Sequence, residues 1–141
     1  MSEIEFINHA SVLISDKNVS ILTDPWYEGD VFNKGWNLLV SHNRNKTEEL
    51  LNRTKYIWVS HEHPDHFAVN FFINNKDQIK KNNIKILFQK TLDSRVTKFL
   101  KSKSFDVIEL EDNKEYSLSD DFKIKVIKVD FYDSAQIFEI K

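Results

Sequence analysis

The order of patterns along the chain predicts a layered α/β fold in which helices cover a mixed sheet. Strand-like segments come first, helix and strand patterns alternate in the middle, and a run of strands closes the sequence. A second observation is Tyr56-Ile57-Trp58-Val59-Ser60, a continuous aromatic and β-branched run of the kind found in a strand covered on both faces. The third is the apolar content: 40% of 141 residues are hydrophobic, with 11 Phe, 3 Trp and 4 Tyr. A chain of this length buries roughly 68% of the surface it exposes when unfolded, so residues 1–141 are read as one domain with a real core.

Taken in order, residues 3–7 alternate Ile4 and Phe6 with Glu3 and Glu5, the period of a half-buried strand. Residues 11–14 and 19–22 are short apolar runs around the polar cluster Ser15-Asp16-Lys17-Asn18, and predict a hairpin. Asp24-Pro25 stops regular structure, and residues 26–43, which hold both glycines, predict a long surface loop. Asn45-Lys46-Thr47-Glu48 has the spacing of a capping box and predicts a helix to about Arg53. Residues 67–73 continue as a helix with Ile79 packing beyond it, 84–88 form a buried strand, and 91–100 place Leu92, Val96, Phe99 and Leu100 at helical spacing. Lys98, Lys101 and Lys103 read as its solvated face. Residues 107–110, 115–118, 122–129 and 136–140 read as strands joined by Asp- and Asn-rich turns.

Composition excludes several classes. With 20 Lys and Arg against 22 Asp and Glu there is no basic excess, so nucleic acid is not expected as a partner. No stretch approaches the ~20 apolar residues of a membrane span, and the acidic start Met1-Ser2-Glu3-Ile4-Glu5 is unlike a secretory signal, so the expected location is the cytoplasm. Cysteine is absent, which leaves only nitrogen and oxygen donors for any metal.

Chemistry concentrates in Ser60-His61-Glu62-His63-Pro64-Asp65-His66, directly after the central strand, where three of the five histidines fall within six residues. In extended backbone the His61 and His63 imidazoles point to the same side and can grip one ion. Pro64 then turns the chain and brings Asp65 and His66 round the strand end, where they can serve an adjacent ion or position water. Without a cation such a cluster would repel itself or lie unsatisfied against the apolar strand. Zinc is the expected ion, with iron and manganese compatible with the same donors. The remaining features have simpler readings: His42 as a solvated loop residue, and Trp26 and Trp36 as core aromatics that could alternatively wall a sugar or base.

The motif His61-Glu62-His63-Pro64-Asp65-His66 resembles the His-x-His-x-Asp-His signature of the metallo-β-lactamase-fold hydrolases. Asn8-His9-Ala10-Ser11-Val12-Leu13-Ile14 with Ile21-Leu22-Thr23-Asp24-Pro25-Trp26 is similar to the opening of the branch that contains ascorbate-phosphate lactonase and the phospholipase D acting on N-acyl phosphatidylethanolamine. Phe32-Asn33-Lys34-Gly35-Trp36-Asn37-Leu38-Leu39 is similar to the corresponding part of CMP-N-acetylneuraminate hydroxylase. The resemblance implies a four-layer αββα sandwich, a first metal on His61 and His63, and a second on Asp65 and His66. It also implies a metal-activated water as nucleophile, with Asp65 orienting that water or taking its proton. Asp24 is then expected to hold a histidine, and His9 either faces the metal cleft or bonds to backbone.

The family generally adds a further His, an Asp and a final His from later strands, and here no histidine follows His66. Tyr132 stands where an imidazole would be sought, and Asp130 and Asp133 read first as turn residues. The expected fold is therefore incomplete at its C-terminal end, with residues 122–129 and 136–140 lacking a cover, and self-association into a homo-oligomer is expected. The expected activity is hydrolysis of an ester, lactone or phosphodiester in a small molecule, with a phosphorylated sugar or nucleotide-sugar suggested by the resemblance. The alternative is a truncated or degenerate module that binds metal or a partner without turnover.

Overall fold

The computed structural model describes residues 1–129 and 133–141. The elements are β1 (Glu3–Asn8), β2 (Ser11–Asp16), β3 (Val19–Thr23), α1 (Arg44–Arg53), β4 (Tyr56–Val59), α2 (Val69–Asn74), α3 (Lys76–Lys81), β5 (Lys85–Gln89), α4 (Arg95–Ser102), β6 (Val107–Leu110), β7 (Glu115–Ser117), β8 (Phe122–Lys128) and β9 (Ser134–Ile140). Strands β1 to β6 form one sheet in chain order, antiparallel from β1 to β3 and parallel from β3 to β6. Strands β7 to β9 form a second, antiparallel sheet.

Alternation along the central strands divides the interior in two. Leu22, Ile57, Val59, Ile86 and Phe88 face the helices, where Leu50 and Leu51 of α1, Phe71 and Phe72 of α2, Ile79 of α3, and Val96 and Leu100 of α4 pack on them. Ile21, Trp58 and Leu87 face the other way and meet Phe122, Ile124 and Val126 of β8. Three layers result, helices on sheet on sheet, and the central strand is covered on both faces as its apolar run predicts. No helix of the described residues is long and apolar enough to cross a membrane.

This arrangement narrows the expectation that residues 122–129 and 136–140 lack a cover: one face of β8 is covered, while Val129 and, on β9, Ile137 stay exposed. Phe122, Ile124 and Val126 are buried against the six-stranded sheet, while the outward residues Lys123 and Lys125 alternate with them. The uncovered-strand argument for a homo-oligomer is thereby confined to the outward face of that sheet.

Other differences are local. Ile4 and Phe6 are exposed, because they share a face with Ile14 and Val12 of β2 but the second apolar cluster reaches only as far as Val12 and leaves the edge strand bare. Helix α1 is capped by Asn43, whose Oδ1 accepts from the Lys46 N–H at 2.9 Å, and not by Asn45. The apolar pattern of 67–81 is split at Asn75 into α2 and α3. Leu92 lies in the turn before α4 and is exposed; Thr91, Asp93 and Ser94 bond one another and the Arg95 N–H there, so the helix starts only at Arg95. His42 is buried, not solvated: its ring stacks on Tyr27 at 4.5 Å and its backbone N–H donates to the Tyr27 carbonyl, which pins the end of the loop to its beginning. Trp26 is core, whereas Trp36 is half exposed.

Candidate metal centre

The site forms at the carboxyl ends of the parallel strands β3, β4 and β5, where chains leave an open sheet and side chains can converge. Pairing of β3 with β4 extends one step past the strand, the Asp24 N–H donating to the Trp58 carbonyl at 2.9 Å. Asp24 then turns into the left-handed region, φ +37°, a conformation that Asp tolerates better than most residues. Its buried carboxylate accepts from the Ser60 N–H at 2.7 Å through Oδ1, and from the Ser60 hydroxyl at 2.8 Å and His66 Nδ1 at 3.0 Å through Oδ2. The His66 and Phe67 N–H groups both donate to the His63 carbonyl, so the turn at Pro64 folds Asp65 and His66 back over the strand end.

His9 arrives from the other side. It begins the two-residue connection between β1 and β2, at φ +45°, and places Nε2 3.1 Å from Asp65 Oδ2. Its ring stands edge-on to Trp26 at 5.2 Å and to His66 at 5.8 Å. His66 Nε2 lies 3.3 Å from the same Asp65 oxygen, and donor atoms of His9, Asp65 and His66 all fall within 4.8 Å of one another. The His9 ring thus meets the Asp65 side chain.

His61 and His63 form a second pair, with His61 Nε2 3.0 Å from His63 Nδ1. On its other side His61 Nδ1 meets Asp133 Oδ1 at 3.1 Å and the Ser60 hydroxyl at 2.9 Å. Asp133 is thus a partner of the motif, where the sequence reads first as a turn. It is brought there by β9, whose first residue Ser134 donates to the Ser60 carbonyl at 2.6 Å. The His61 and His66 rings lie 4.1 Å apart, so the two groups adjoin. Asp130 and Tyr132 lie outside the described residues.

The protonation pattern follows from these partners. Burial pulls the His66 imidazole down, but the hydrogen bond and charge of Asp24, with Asp65 and Asp133 adding to it, leave its pKa above the ordinary histidine value. For His61 burial and the neighbouring His66 outweigh the Asp133 charge and lower it. With the proton on Nδ1, toward Asp24 in His66 and toward Asp133 in His61, each ring keeps an Nε2 lone pair, facing Asp65 in one case and His63 in the other.

That donor set fits a divalent cation. Asp65 Oδ1 is buried without a hydrogen-bond partner among the described residues, although its sister oxygen sits between two imidazoles. The facing nitrogens of His61 and His63, 3.0 Å apart, need a proton or a cation between their lone pairs. Ser60 is the residue that sequence reasoning missed; its only signal is a small hydroxyl between a strand end and the first histidine, within reach of a carboxylate from the neighbouring strand.

The family profile described as a beta-lactamase superfamily domain matches residues 3–134. The chain belongs to the beta-lactamase superfamily. No curated protein matches this superfamily domain in sequence. Among solved structures it is similar to CmlA, a diiron beta-hydroxylase from Streptomyces venezuelae, with a TM-score of 0.72 and 17% identity over 99% of this chain and 28% of that one. It is also similar to Igni18, a metallo hydrolase from Ignicoccus hospitalis, with a TM-score of 0.63 and 13% identity over 99% of this chain and 56% of that one. The isothiocyanate hydrolase from Delia radicum gut bacteria gives a TM-score of 0.60 and 20% identity over 89% of this chain and 47% of that one. At these identities the likeness is one of fold, and the superfamily domain described here spans between 28% and 56% of the length of those three chains. Three of the four layers of the αββα sandwich are present in it.

Proposed function

We propose that this domain is a metal-dependent hydrolase acting on an ester, lactone or phosphodiester bond of a small molecule, with zinc as its ion. The observation that carries the reading is the Asp65 carboxylate, whose Oδ2 lies between His9 and His66 while its buried Oδ1 has no hydrogen-bond partner among the described residues. A divalent ion held by these imidazoles and carboxylates would supply charge to polarise the scissile group and acidify a water. His61 and His63 are assigned to one ion, and His9, Asp65 and His66 to a neighbouring one. This departs from the sequence expectation by adding His9 to the second set.

The chain's own part is mostly orientation. Asp24 fixes His66 and Asp133 fixes His61, each by holding Nδ1, so that Nε2 faces Asp65 in the first case and His63 in the second. Asp65 is the proton acceptor for the attacking water, within a turn held by the His63 carbonyl. Arg95, which reaches the motif through Glu62 at 2.8 Å, is also paired with Asp93 at 2.5 Å.

Asp65→Asn separates chemistry from metal retention. Because four imidazoles remain, ion content should fall by about half or less, whereas hydrolysis of an aryl ester or lactone panel should fall about 10²–10⁴-fold with the loss of the proton acceptor. Parallel rate assays and elemental analysis check this. Equal loss of ion and rate would reduce Asp65 to a structural role.

A further inference from the structure

Next to the metal centre, and sharing His9 with it, lies a groove of about 620 Å³ between the edge strand β1 and residues 35–40 of the long loop. Its volume is in the range of small-molecule sites. His9 and Trp26 line one part of it, and Phe6, Trp36 and Leu39 another. None of the described side chains lining it is an Asp, Glu, Lys or Arg. The apolar residues are not there for the core, since Phe6 is 71%, Trp36 52% and Leu39 103% exposed.

The backbone that carries Trp36 is held at a cost. Phe32, Asn33 and Lys34 are three consecutive non-glycine residues in the left-handed region, at φ +52°, +52° and +67°. Each such residue costs about 1–2 kcal/mol, and strain of this kind persists where surrounding bonds over-determine it. Here the bonds are mutual N–H to carbonyl pairs between Val31 and Trp36, at 3.1 and 3.2 Å, and the Gly35 N–H donating to the Phe32 carbonyl at 2.9 Å. Position 35 admits no side chain without displacing backbone, since a Cβ there would lie 3.0 Å from the Phe32 carbonyl oxygen. The outcome is a rigid aromatic bracket. Trp36 stands edge-on to Phe32 at 5.2 Å and to His9 at 6.3 Å, and Phe32 stands edge-on to His63 at 6.2 Å. One short hairpin thus links the groove to both histidine groups.

We infer that this groove binds an uncharged aryl group of the substrate and so presents the adjoining scissile bond to the His9, Asp65 and His66 cluster. The scissile-bond half of this statement rests on the hydrolase reading above; the binding half does not. A phosphate or carboxylate seated in the groove would lose water without gaining a cation, which disfavours charged groups there. A flat ring instead meets Trp36 and Phe6, and offset or edge-on aromatic pairs contribute about 0.5–1.5 kcal/mol beyond the area they bury. Asn37, also on the groove wall, offers an amide to a polar ring substituent.

The test uses the neutral fluorescent probe N-phenyl-1-naphthylamine with the whole chain, before and after loading with zinc. Saturable binding to one site is expected, displaced by 1-naphthol at least about tenfold better than by the dianionic 1-naphthyl phosphate. Trp36→Ala should weaken the probe at least about tenfold with zinc content unchanged, and Trp36→Phe, which keeps an aromatic wall, should restore most of the affinity. Unchanged affinity in Trp36→Ala, or displacement by the phosphate as good as by the naphthol, would overturn the inference. So would methyl octanoate competing as well as 1-naphthol, which would make the groove an acyl-chain site. Sedimentation of the same proteins supplies a further arm: loss of self-association in Trp36→Ala without loss of probe binding would assign the surface to contact between copies. If the parent takes up no metal but binds the probe at Trp36, the hydrolase reading falls and the groove stands; if metal binds and Trp36→Ala leaves the probe untouched, the reverse holds.

Discussion

Replacing His66 by alanine is expected to lower hydrolysis more than about 100-fold, beyond the 10–100-fold that loss of an outer partner of a metal ligand usually costs. His66 joins the two halves of the site. Its Nε2 faces Asp65 at 3.3 Å, its ring lies 4.1 Å from His61, and its Nδ1 is tied to Asp24 at 3.0 Å. Alanine removes the nitrogen that faces Asp65 and leaves Asp24 Oδ2 with only the Ser60 hydroxyl bond. Ester hydrolysis measured at saturating zinc checks the expectation, because saturation separates loss of chemistry from simple loss of affinity. A His66→Ala protein within tenfold of the parent would show that the second donor group does not serve the reaction.

Asp24→Ala is expected to be the most destabilising change in the site, by about 3 kcal/mol, because it orphans a buried donor and does not merely delete a contact. The Ser60 N–H and hydroxyl both donate to this carboxylate in the interior; the hydroxyl can turn to His61 Nδ1 at 2.9 Å, but the N–H has no other acceptor among the described residues. Alanine also fits φ +37° less well than Asp or Asn does. Asp24→Asn should behave differently. It keeps an acceptor for the Ser60 N–H and suits the backbone, so the stability loss should be about 1 kcal/mol, while the weaker hold on His66 should cost about 10–100-fold in metal affinity. Urea unfolding of the two metal-free variants, followed by zinc titration, makes the comparison. Equal stability loss in both would mean that charge, and not hydrogen bonding to Ser60, is what the fold draws from Asp24.

Why some of this was legible in sequence and some was not follows from what each signal encodes. The run from Tyr56 to Ser60 reports burial on both faces, and the structure covers β4 with helices on one side and β8 on the other. The spacing of His61, His63, Asp65 and His66 reports a local turn, which a short peptide segment can specify by itself. Partners distant in sequence leave no such trace. Asp133 reaches His61 only because Ser134 bonds the Ser60 carbonyl and starts β9 there, and His9 reaches Asp65 only because the β1–β2 connection lies over the same strand ends. Patterns were misread where periodicity was carried past a boundary set by side-chain bonding: Leu92 fits helical spacing, yet the Thr91 and Asp93 bonds start α4 three residues later. Alternation in β1 was real too, but it says nothing about how far the opposite sheet extends, and Phe6 and Ile4 lie beyond the reach of that apolar cluster.

The central claim is that the histidine and aspartate cluster holds a divalent ion, and elemental analysis of the chain tests it most directly. Protein stripped with a chelator, incubated in turn with zinc, iron and manganese, and dialysed should retain about one ion or more per chain, with zinc held best. The variant carrying His61→Ala, His63→Ala, Asp65→Asn and His66→Ala together should retain none. A parent protein that emerges metal-free after all three incubations, while still giving a cooperative unfolding transition, would contradict the account.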